Sequence, residues 1–208
     1  MFSTWPILSI ITFLPICGAL FIFFISEKGD KDSANIHLNI KTVALWTSLM
    51  TFFISIILLL DFDYNLDGFQ FEEKSLWMPD FGIVYYLGID GLSLPFILLT
   101  TFLIPICILS SWNSVKQKIK EYMVCFLVLE TFIIGMFCSL DLVVFYIFFE
   151  AVLIPMFIII GIWGGSNRIY AAFKFFLYTL LGSVLMLIGI IYILKTLGSS
   201  DLSVLKNH

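Results

Sequence analysis

Six long apolar runs constrain this chain more than any other feature of its sequence. A helix that crosses a hydrocarbon core about 30 Å thick needs roughly 20 apolar residues. The runs are Trp5–Ile25, Thr42–Leu60, Leu92–Trp112, Tyr122–Leu140, Leu142–Trp163 and Ala171–Leu194. Because each run is too long for a core strand, the sequence predicts an all-α polytopic membrane protein. Residues 1–208 are expected to form a single transmembrane domain with six spans.

The composition excludes several classes of protein. Hydrophobic residues make up 61% of the chain and charged residues only 12%, whereas soluble domains carry about 25% charged residues. The net charge is −4 and the lysines form no large cluster, which argues against a nucleic-acid partner. The four cysteines lie in apolar runs without a CxxC pair, so we expect no metal site and no disulfide framework.

The basic residues of the polar connections predict an orientation in the membrane. If the N-terminus is outside, the inner side holds eight basic residues and the outer side three. The inner set is Lys28, Lys31, Lys41, Lys116, Lys118, Lys120, Arg168 and Lys174, and the outer set is Lys74, Lys195 and Lys206. Lysine and arginine are enriched in cytoplasmic loops, so this orientation is the predicted one.

The long connection over residues 61–91 is acidic and is predicted to face outward. Its stretch Phe69–Glu72 alternates apolar and polar residues, and Asp67-Gly68 is a dipeptide typical of hairpin turns. The segment therefore fits a short β-hairpin over the outer helix ends, with an irregular loop as the alternative.

Three ionisable groups lie inside the spans, where charge is costly and is a functional-site hypothesis by default. Lys174 is close to the inner end of span six, so its stem can snorkel to the interface; it is also a candidate for proton uptake. Glu130 lies eight residues into span four, about 12 Å deep. It is a second candidate proton carrier, or a protonated group that hydrogen-bonds a neighbouring helix.

Glu150 is the strongest candidate of the three. It lies eight residues from one end of span five and thirteen from the other, too deep for a carboxylate to reach water. Aromatic neighbours favour the neutral acid, and Pro155 removes a hydrogen bond from the carbonyl of Ala151. An axial offset of about 15 Å from Lys174 argues against a direct ion pair. We expect Glu150 to carry protons.

Two long motifs resemble a known family. The segment Phe145–Thr179, FYIFFEAVLIPMFIIIGIWGGSNRIYAAFKFFLYT, is similar to the M-type (chain 4) antiporter-like subunits of respiratory NADH–quinone oxidoreductase, or complex I. The segment Leu87–Leu94, LGIDGLSL, and the stretch LLGSVLMLIG from Leu180 are similar as well. In that family the glutamate of FFEAVLIP belongs to the proton pathway, and this residue is Glu150 here.

The resemblance carries further implications about architecture and partners. Members contain inverted repeats of transmembrane helices, so six spans imply a truncated antiporter-like bundle, the N-terminal portion of a subunit. The chain would serve a proton-translocating NADH:quinone dehydrogenase without redox chemistry of its own. NADH, FMN, iron–sulfur clusters and quinone would be bound by other subunits. The implied partners are other membrane subunits and lipid, and the implied location is a bacterial or mitochondrial inner membrane.

Two alternatives remain open from the sequence. The first is a subunit of a related cation/proton antiporter or membrane-bound hydrogenase, since these share the glutamate-bearing helix. The second is a structural fragment that does not pump. In every case protons are the only small substrate expected for this chain.

Overall fold

The computed structural model describes residues 6–25, 33–66, 68–78 and 83–205. Its helices are α1 (Ile7–Phe24), α2 (Ser33–Asp61), α3 (Ser93–Ser110), α4 (Ile119–Cys138), α5 (Leu142–Trp163), α6 (Arg168–Leu197) and the short α7 (Leu202–Leu205). Two strands, β1 (Gln70–Met78) and β2 (Ile83–Ile89), lie between α2 and α3. Lys28, Lys31, Asp67 and Lys206, which the sequence analysis used, lie outside the described residues.

Helices α1 to α6 are each long and apolar enough to cross a membrane. The prediction of six transmembrane helices in an all-α polytopic protein is therefore confirmed. Helices α2, α4 and α6 begin before the predicted spans, in polar sequence: α6, for example, begins at Arg168 rather than Ala171. Helices α1 and α3 are slightly shorter than predicted. A continuous helix satisfies its own backbone donors and acceptors, which lipid requires of any spanning segment.

The helices run alternately up and down, so their ends gather at two levels that we call the basic end and the acidic end. At the basic end, Lys120 Nζ donates to the carbonyl of Ile25 at 2.8 Å, which joins the start of α4 to the end of α1. At the acidic end, the amide of Leu142 donates to Ser200 O at 2.9 Å, which joins the start of α5 to the segment after α6.

Helices α1 to α4 form a four-helix bundle, while α5 packs on α4 and α6 packs on α5. The bundle interior contains one apolar cluster toward the acidic end and a second toward the basic end. Helix α6 is the least buried of the six: only 11% of its most apolar 18-residue stretch is buried by the rest of the protein. Large apolar side chains line its open face, namely Leu177, Leu181, Leu185, Ile188 and Ile191.

The acidic segment contains an antiparallel two-stranded sheet over the acidic end. Lys74 on β1 lies opposite Tyr86 on β2. The pairing register shifts between Gln70 and Glu73 and again between Leu76 and Met78. Strand β1 begins at Gln70, so Gly68 lies before the sheet and not between its two strands. The connection between the strands is residues 79–82, outside the described ranges. Gly68 has φ +123°, a backbone conformation that glycine tolerates, and precedes β1.

Two carboxylates fasten this sheet to the helices. The Glu73 side chain on β1 accepts hydrogen bonds from the backbone amides of Leu8, at 2.6 Å, and Ser9, at 3.0 Å. These amides belong to the first turn of α1, where helices lack internal acceptors and attract negative charge. Tyr85 on β2 adds a hydroxyl contact to Ser9 at 3.0 Å. Burial raises the pKa of Tyr85 and outweighs that hydrogen bond.

The second fastening carboxylate is Asp141, in the short connection between α4 and α5. It is fully buried and caps α5 by accepting from the amides of Val143, at 2.9 Å, and Val144, at 3.1 Å. Its other oxygen accepts from the Ser200 hydroxyl and, at 3.5 Å, from the amide of Val84 on β2. Asp141 thus joins the sheet, the start of α5 and the segment after α6.

Candidate functional site

Glu150 lies in the middle third of α5, eight residues from Leu142 and thirteen from Trp163. At 1.5 Å per residue, it is about 12 Å from the acidic end of the helix and about 20 Å from the basic end. The side chain is half-buried, and its Oε2 atom is buried without a hydrogen-bond partner. A carboxyl group at that depth cannot reach either interface by its own length.

Aromatic residues and a proline lie close to Glu150 along α5. Phe145 and Phe149 stack at 6.0 Å between ring centroids, one turn apart on the same helix. Pro155 is buried inside α5, and because proline has no amide hydrogen, the carbonyl of Ala151 lacks its usual helical donor. This acceptor is adjacent in sequence to Glu150, so the helix offers two polar groups that are free to bind water or a cation.

The ring contacts between α5 and α6 show what Glu150 faces. Phe157 lies 5.5 Å from Phe176, measured between ring centroids. Glu150 is seven residues from Phe157 toward the acidic end, and Ser183 is seven residues from Phe176 in the same direction. Seven residues are nearly two full turns, so Glu150 and Ser183 lie at one depth on the facing surfaces of α5 and α6.

Ser183 is a polar residue that the sequence analysis missed. Its side chain is 2% exposed, and its hydroxyl donates to Leu180 O at 3.0 Å. A hydroxyl can accept a further hydrogen bond while it donates one. The signal in the sequence was a lone serine in the apolar stretch Leu180–Gly189, which by itself is ordinary for a membrane helix.

Lys174 is exposed and lies near the basic end of α6. Its Nζ is 5.9 Å from the centre of the Tyr170 ring, one turn closer to the basic end. Because Lys174 falls between the two α6 residues that contact Phe157, its axial offset from Glu150 is about 10 Å. This is less than the predicted 15 Å, because α6 begins at Arg168, three residues before the predicted start of span six, so that Lys174 lies deeper along the helix. No ion pair joins the two side chains in the described part of the chain.

Glu130 is fully buried in α4, and neither carboxyl oxygen has a hydrogen-bond partner. The helix begins at Ile119 rather than Tyr122, so Glu130 lies eleven residues, about 16 Å, from the basic end. That is deeper than the 12 Å expected from the predicted span.

Glu130 and Glu150 lie at the same depth but on opposite sides of the α4–α5 pair. Each is eight residues from the acidic end of its own helix. Glu130 shares a ridge with Leu127 and Ile134, which belong to the interior clusters of the α1–α4 bundle. Glu150 shares a face with Phe157 and looks toward α6. The structure therefore places the three predicted site residues in three separate environments.

The described residues contain no group of three or more histidine, cysteine or acidic side chains arranged to hold a metal ion. The free cysteines Cys125 and Cys138 are buried within α4.

Comparison with known families covers nearly the whole chain. Residues 32–139 match the family described as NADH-ubiquinone oxidoreductase chain 4, amino terminus. The chain belongs to this family. Residues 139–208 match the family described as NADH:quinone oxidoreductase/Mrp antiporter, TM. The resemblance to chain 4 subunits seen in the motifs is confirmed.

Individual relatives of the family are closely similar. NADH-quinone oxidoreductase subunit M from Rhodobacter capsulatus is 52% identical over 201 residues, which are 97% of this chain and 38% of the relative. NADH-quinone oxidoreductase subunit M from Rickettsia bellii is 49% identical over 95% of this chain and 40% of the relative. NADH-ubiquinone oxidoreductase chain 4 from Marchantia polymorpha is 49% identical over 95% of this chain and 39% of the relative. The chain spans about two fifths of the length of these relatives.

Solved structures share the fold at lower identity. Respiratory complex I from Thermus thermophilus superposes with a TM-score of 0.79 at 24% identity, over 97% of this chain and 39% of that chain. The Mrp complex from a Dietzia species superposes with a TM-score of 0.71 at 15% identity, over 94% of this chain and 20% of that chain. These similarities establish that the six helices adopt the arrangement found in membrane subunits of such complexes.

Proposed function

We propose that this chain contributes part of a proton-translocation pathway in a proton-pumping NADH:quinone oxidoreductase, with Glu150 as the proton-carrying residue. The observation that carries the proposal is a carboxyl group in mid-helix with a buried, unpartnered oxygen, in a member of the chain 4 family. A charge at that depth is strongly disfavoured unless it is paired. Glu150 is therefore suited to hold a proton and to release it only when positive charge approaches.

In the proposed cycle, Glu150 is neutral while no cation is near. A cation contributed by the assembled complex favours the carboxylate by direct attraction, and the proton leaves. When the cation withdraws, the carboxyl group binds a proton again. Electron transfer elsewhere in the complex would bias these two states by conformational or electrostatic coupling. The Ala151 carbonyl and the Ser183 hydroxyl are placed to bind water along this route.

Lys174 and Glu130 are proposed as secondary members of the pathway. The Lys174 ammonium lies toward the basic end over Tyr170, which suits either snorkelling to the interface or proton uptake on that side. Glu130 lies at the depth of Glu150 but inside the α1–α4 bundle, so it would exchange protons by a separate route. We expect both to matter less than Glu150.

The cofactors and partners follow from the family. NADH, FMN, iron–sulfur clusters and quinone would be bound by other subunits, and this chain would bind protons only. Its partners would be other membrane subunits of the complex and the lipid of a bacterial or mitochondrial inner membrane. The exposed apolar face of α6 supports packing against further helices or lipid.

A related cation/proton antiporter is the second candidate. The similarity of fold to the Dietzia Mrp complex favours it, and the family matched by residues 139–208 includes Mrp antiporters in its description. Identity of about 50% to subunit M and chain 4 relatives, against 15% to the Mrp complex, supports the first proposal more strongly.

We propose that the basic end of the chain faces the cytoplasm or matrix. Lys41, Lys116, Lys118, Lys120 and Arg168 lie there, against Lys74 and Lys195 at the acidic end. In a variant without native cysteines, Lys118→Cys should react with an impermeant maleimide only after the membrane is opened, and Asn65→Cys should react in intact cells. Labelling of Lys118→Cys in intact cells would reverse the orientation.

The experiment that tests the pumping role compares Glu150→Gln with Glu150→Asp in the assembled complex, in membrane vesicles. Glutamine keeps the size and hydrogen bonding of the side chain but cannot carry a proton. We expect it to abolish NADH-driven proton pumping, while aspartate retains part of it. Assembly is checked on native gels, so that loss of pumping is separated from loss of the complex.

Glu121→Gln is the matched control because Glu121 lies exposed in the first turn of α4. It should pump normally, and Lys174→Ala should keep much of the activity. Near-normal pumping by Glu150→Gln would rule out the assignment and favour a structural role. Proton movement that requires sodium as the counter-transported cation would favour the antiporter candidate.

A further inference from the structure

The two apolar clusters inside the α1–α4 bundle are separated by polar residues on every helix. On α1 these residues follow Ile11 and precede Ala19, and on α4 they fall between Leu127 and Ile134. We call them the polar layer: Thr12, Ser48, Thr51, Ser55, Thr101, Glu130 and Thr131. All are buried.

Most hydroxyl groups of the polar layer already have partners. Ser48 donates to Leu45 O at 3.0 Å, and the hydroxyls of Ser55 and Thr101 are 2.8 Å apart, which joins α2 to α3. In contrast, both carboxyl oxygens of Glu130 and the hydroxyl of the adjacent Thr131 are buried without a hydrogen-bond partner. The hydroxyl of Thr12 on α1 is unpartnered as well, so three of the four unsatisfied side-chain atoms of this layer lie on α4.

Proline adds free acceptors to the same layer. Pro15 in α1 and Pro105 in α3 are buried. Because neither has an amide hydrogen, the carbonyls of Ile11 and Thr101 lose their usual helical donors. At membrane depth such carbonyls are normally satisfied by neighbouring side chains or by water.

No charged side chain is available to neutralise an ionised Glu130 within the bundle. Helices α1 and α3 contain no acidic or basic residues. In α2, His37, Lys41 and Asp61 lie toward its two ends, and in α4 the other charged residues, Lys120 and Glu121, lie in its first turn. An unpaired carboxylate in this interior would be very costly. The neutral acid is favoured, and it still needs one acceptor and at least one donor.

We propose that Glu130 is a neutral carboxylic acid that binds ordered water together with Thr131, and that the polar layer is a hydrated, proton-exchanging site separate from Glu150. A buried water typically makes about three hydrogen bonds to otherwise unsatisfied polar groups. Glu130, Thr131 and the carbonyl freed by Pro15 are groups of that kind. The site does not depend on whether Glu150 carries protons.

Infrared spectroscopy of the purified protein in lipid nanodiscs tests this proposal. The spectrum of the wild type minus that of Glu130→Gln should contain the C=O stretching band of one protonated carboxyl group. This band should shift when D2O replaces H2O, since bound water exchanges its protons. Glu121→Gln, an exposed glutamate of the same helix, should leave the band unchanged.

The proposal is overturned if the difference spectrum contains only carboxylate bands, or if the acid band does not shift in D2O. Thr131→Val provides an independent check, since valine has nearly the same shape as threonine without the hydroxyl. It should change the frequency of the Glu130 band, while Thr100→Val, on the outer side of α3, should not. An unchanged band in Thr131→Val would contradict the shared water and reject the proposal.

Discussion

Replacing Asp141 with alanine is expected to destabilise the protein through several contacts at once. The carboxylate is 0% exposed, caps α5 through the amides of Val143 and Val144, and accepts from the Ser200 hydroxyl. Alanine removes every one of these acceptors. The donors it leaves behind lie at the acidic end of the protein, where the sheet limits their contact with water.

The magnitude follows from two contributions. Loss of an aspartate N-cap costs about 0.5–2 kcal/mol, and loss of a hydrogen bond to a charged group costs about 1.5–3 kcal/mol. Because the contacts share one carboxylate, they are not fully additive, and we expect a total of about 2–4 kcal/mol. Asp141→Asn keeps a good capping oxygen but loses the charge, so it should cost only about 1 kcal/mol.

The assay is reversible unfolding of the purified protein in mixed micelles, followed by tryptophan fluorescence and helical circular dichroism. The matched control is Asp63→Ala, because Asp63 is exposed at the same end and, among the described residues, its carboxylate accepts hydrogen bonds only from the nearby Asn65. The control should change stability by no more than about 0.5 kcal/mol. If Asp141→Ala is as stable as this control, the capping argument is incorrect.

Two further outcomes are expected. Gly135→Val should destabilise the protein by about 1–3 kcal/mol at the α4–α5 contact, because a Cβ at Gly135 would lie 2.5 Å from the Phe148 ring. Gly189→Val is the control, since a Cβ there meets open space. Equal melting temperatures for the two variants would contradict this prediction. Burial raises the pKa of the Asp201 carboxyl, but hydrogen bonds, including one from Lys74, outweigh it and leave that pKa below its usual range. The pair should therefore stabilise the protein above about pH 4 and lose its effect as the pH falls further. Lys74 is half exposed, so the gain is at most about 1 kcal/mol. Unfolding of wild type and Asp201→Asn at pH 7 and pH 3 measures this, and a stability gap that does not narrow at pH 3 would refute it.

The chain's own order of residues determined the six membrane helices and the mid-helix position of Glu150. The depths of Glu130 and Lys174 were shifted by several ångströms, because α4 and α6 each begin three residues before the predicted spans. Lipid offers no partners for backbone amides and carbonyls, so a long apolar run has to satisfy them within its own helix. Depth then follows from counting along one helix at 1.5 Å per residue. Glu150 could therefore be placed in mid-helix from the sequence, and the motif around it pointed to the same residue.

The tertiary structure decided which groups face one another. Whether Glu130 looks into the α1–α4 bundle and Glu150 toward α6 depends on how the neighbouring helices pack, which no single helix encodes. Glu73 caps α1 from 65 residues away, and Asp141 meets Ser200 across 59 residues. Contacts of this kind depend on the arrangement of several elements in space, so the charge pattern of the acidic segment indicated a surface loop but not the two carboxylates that join it to the helices.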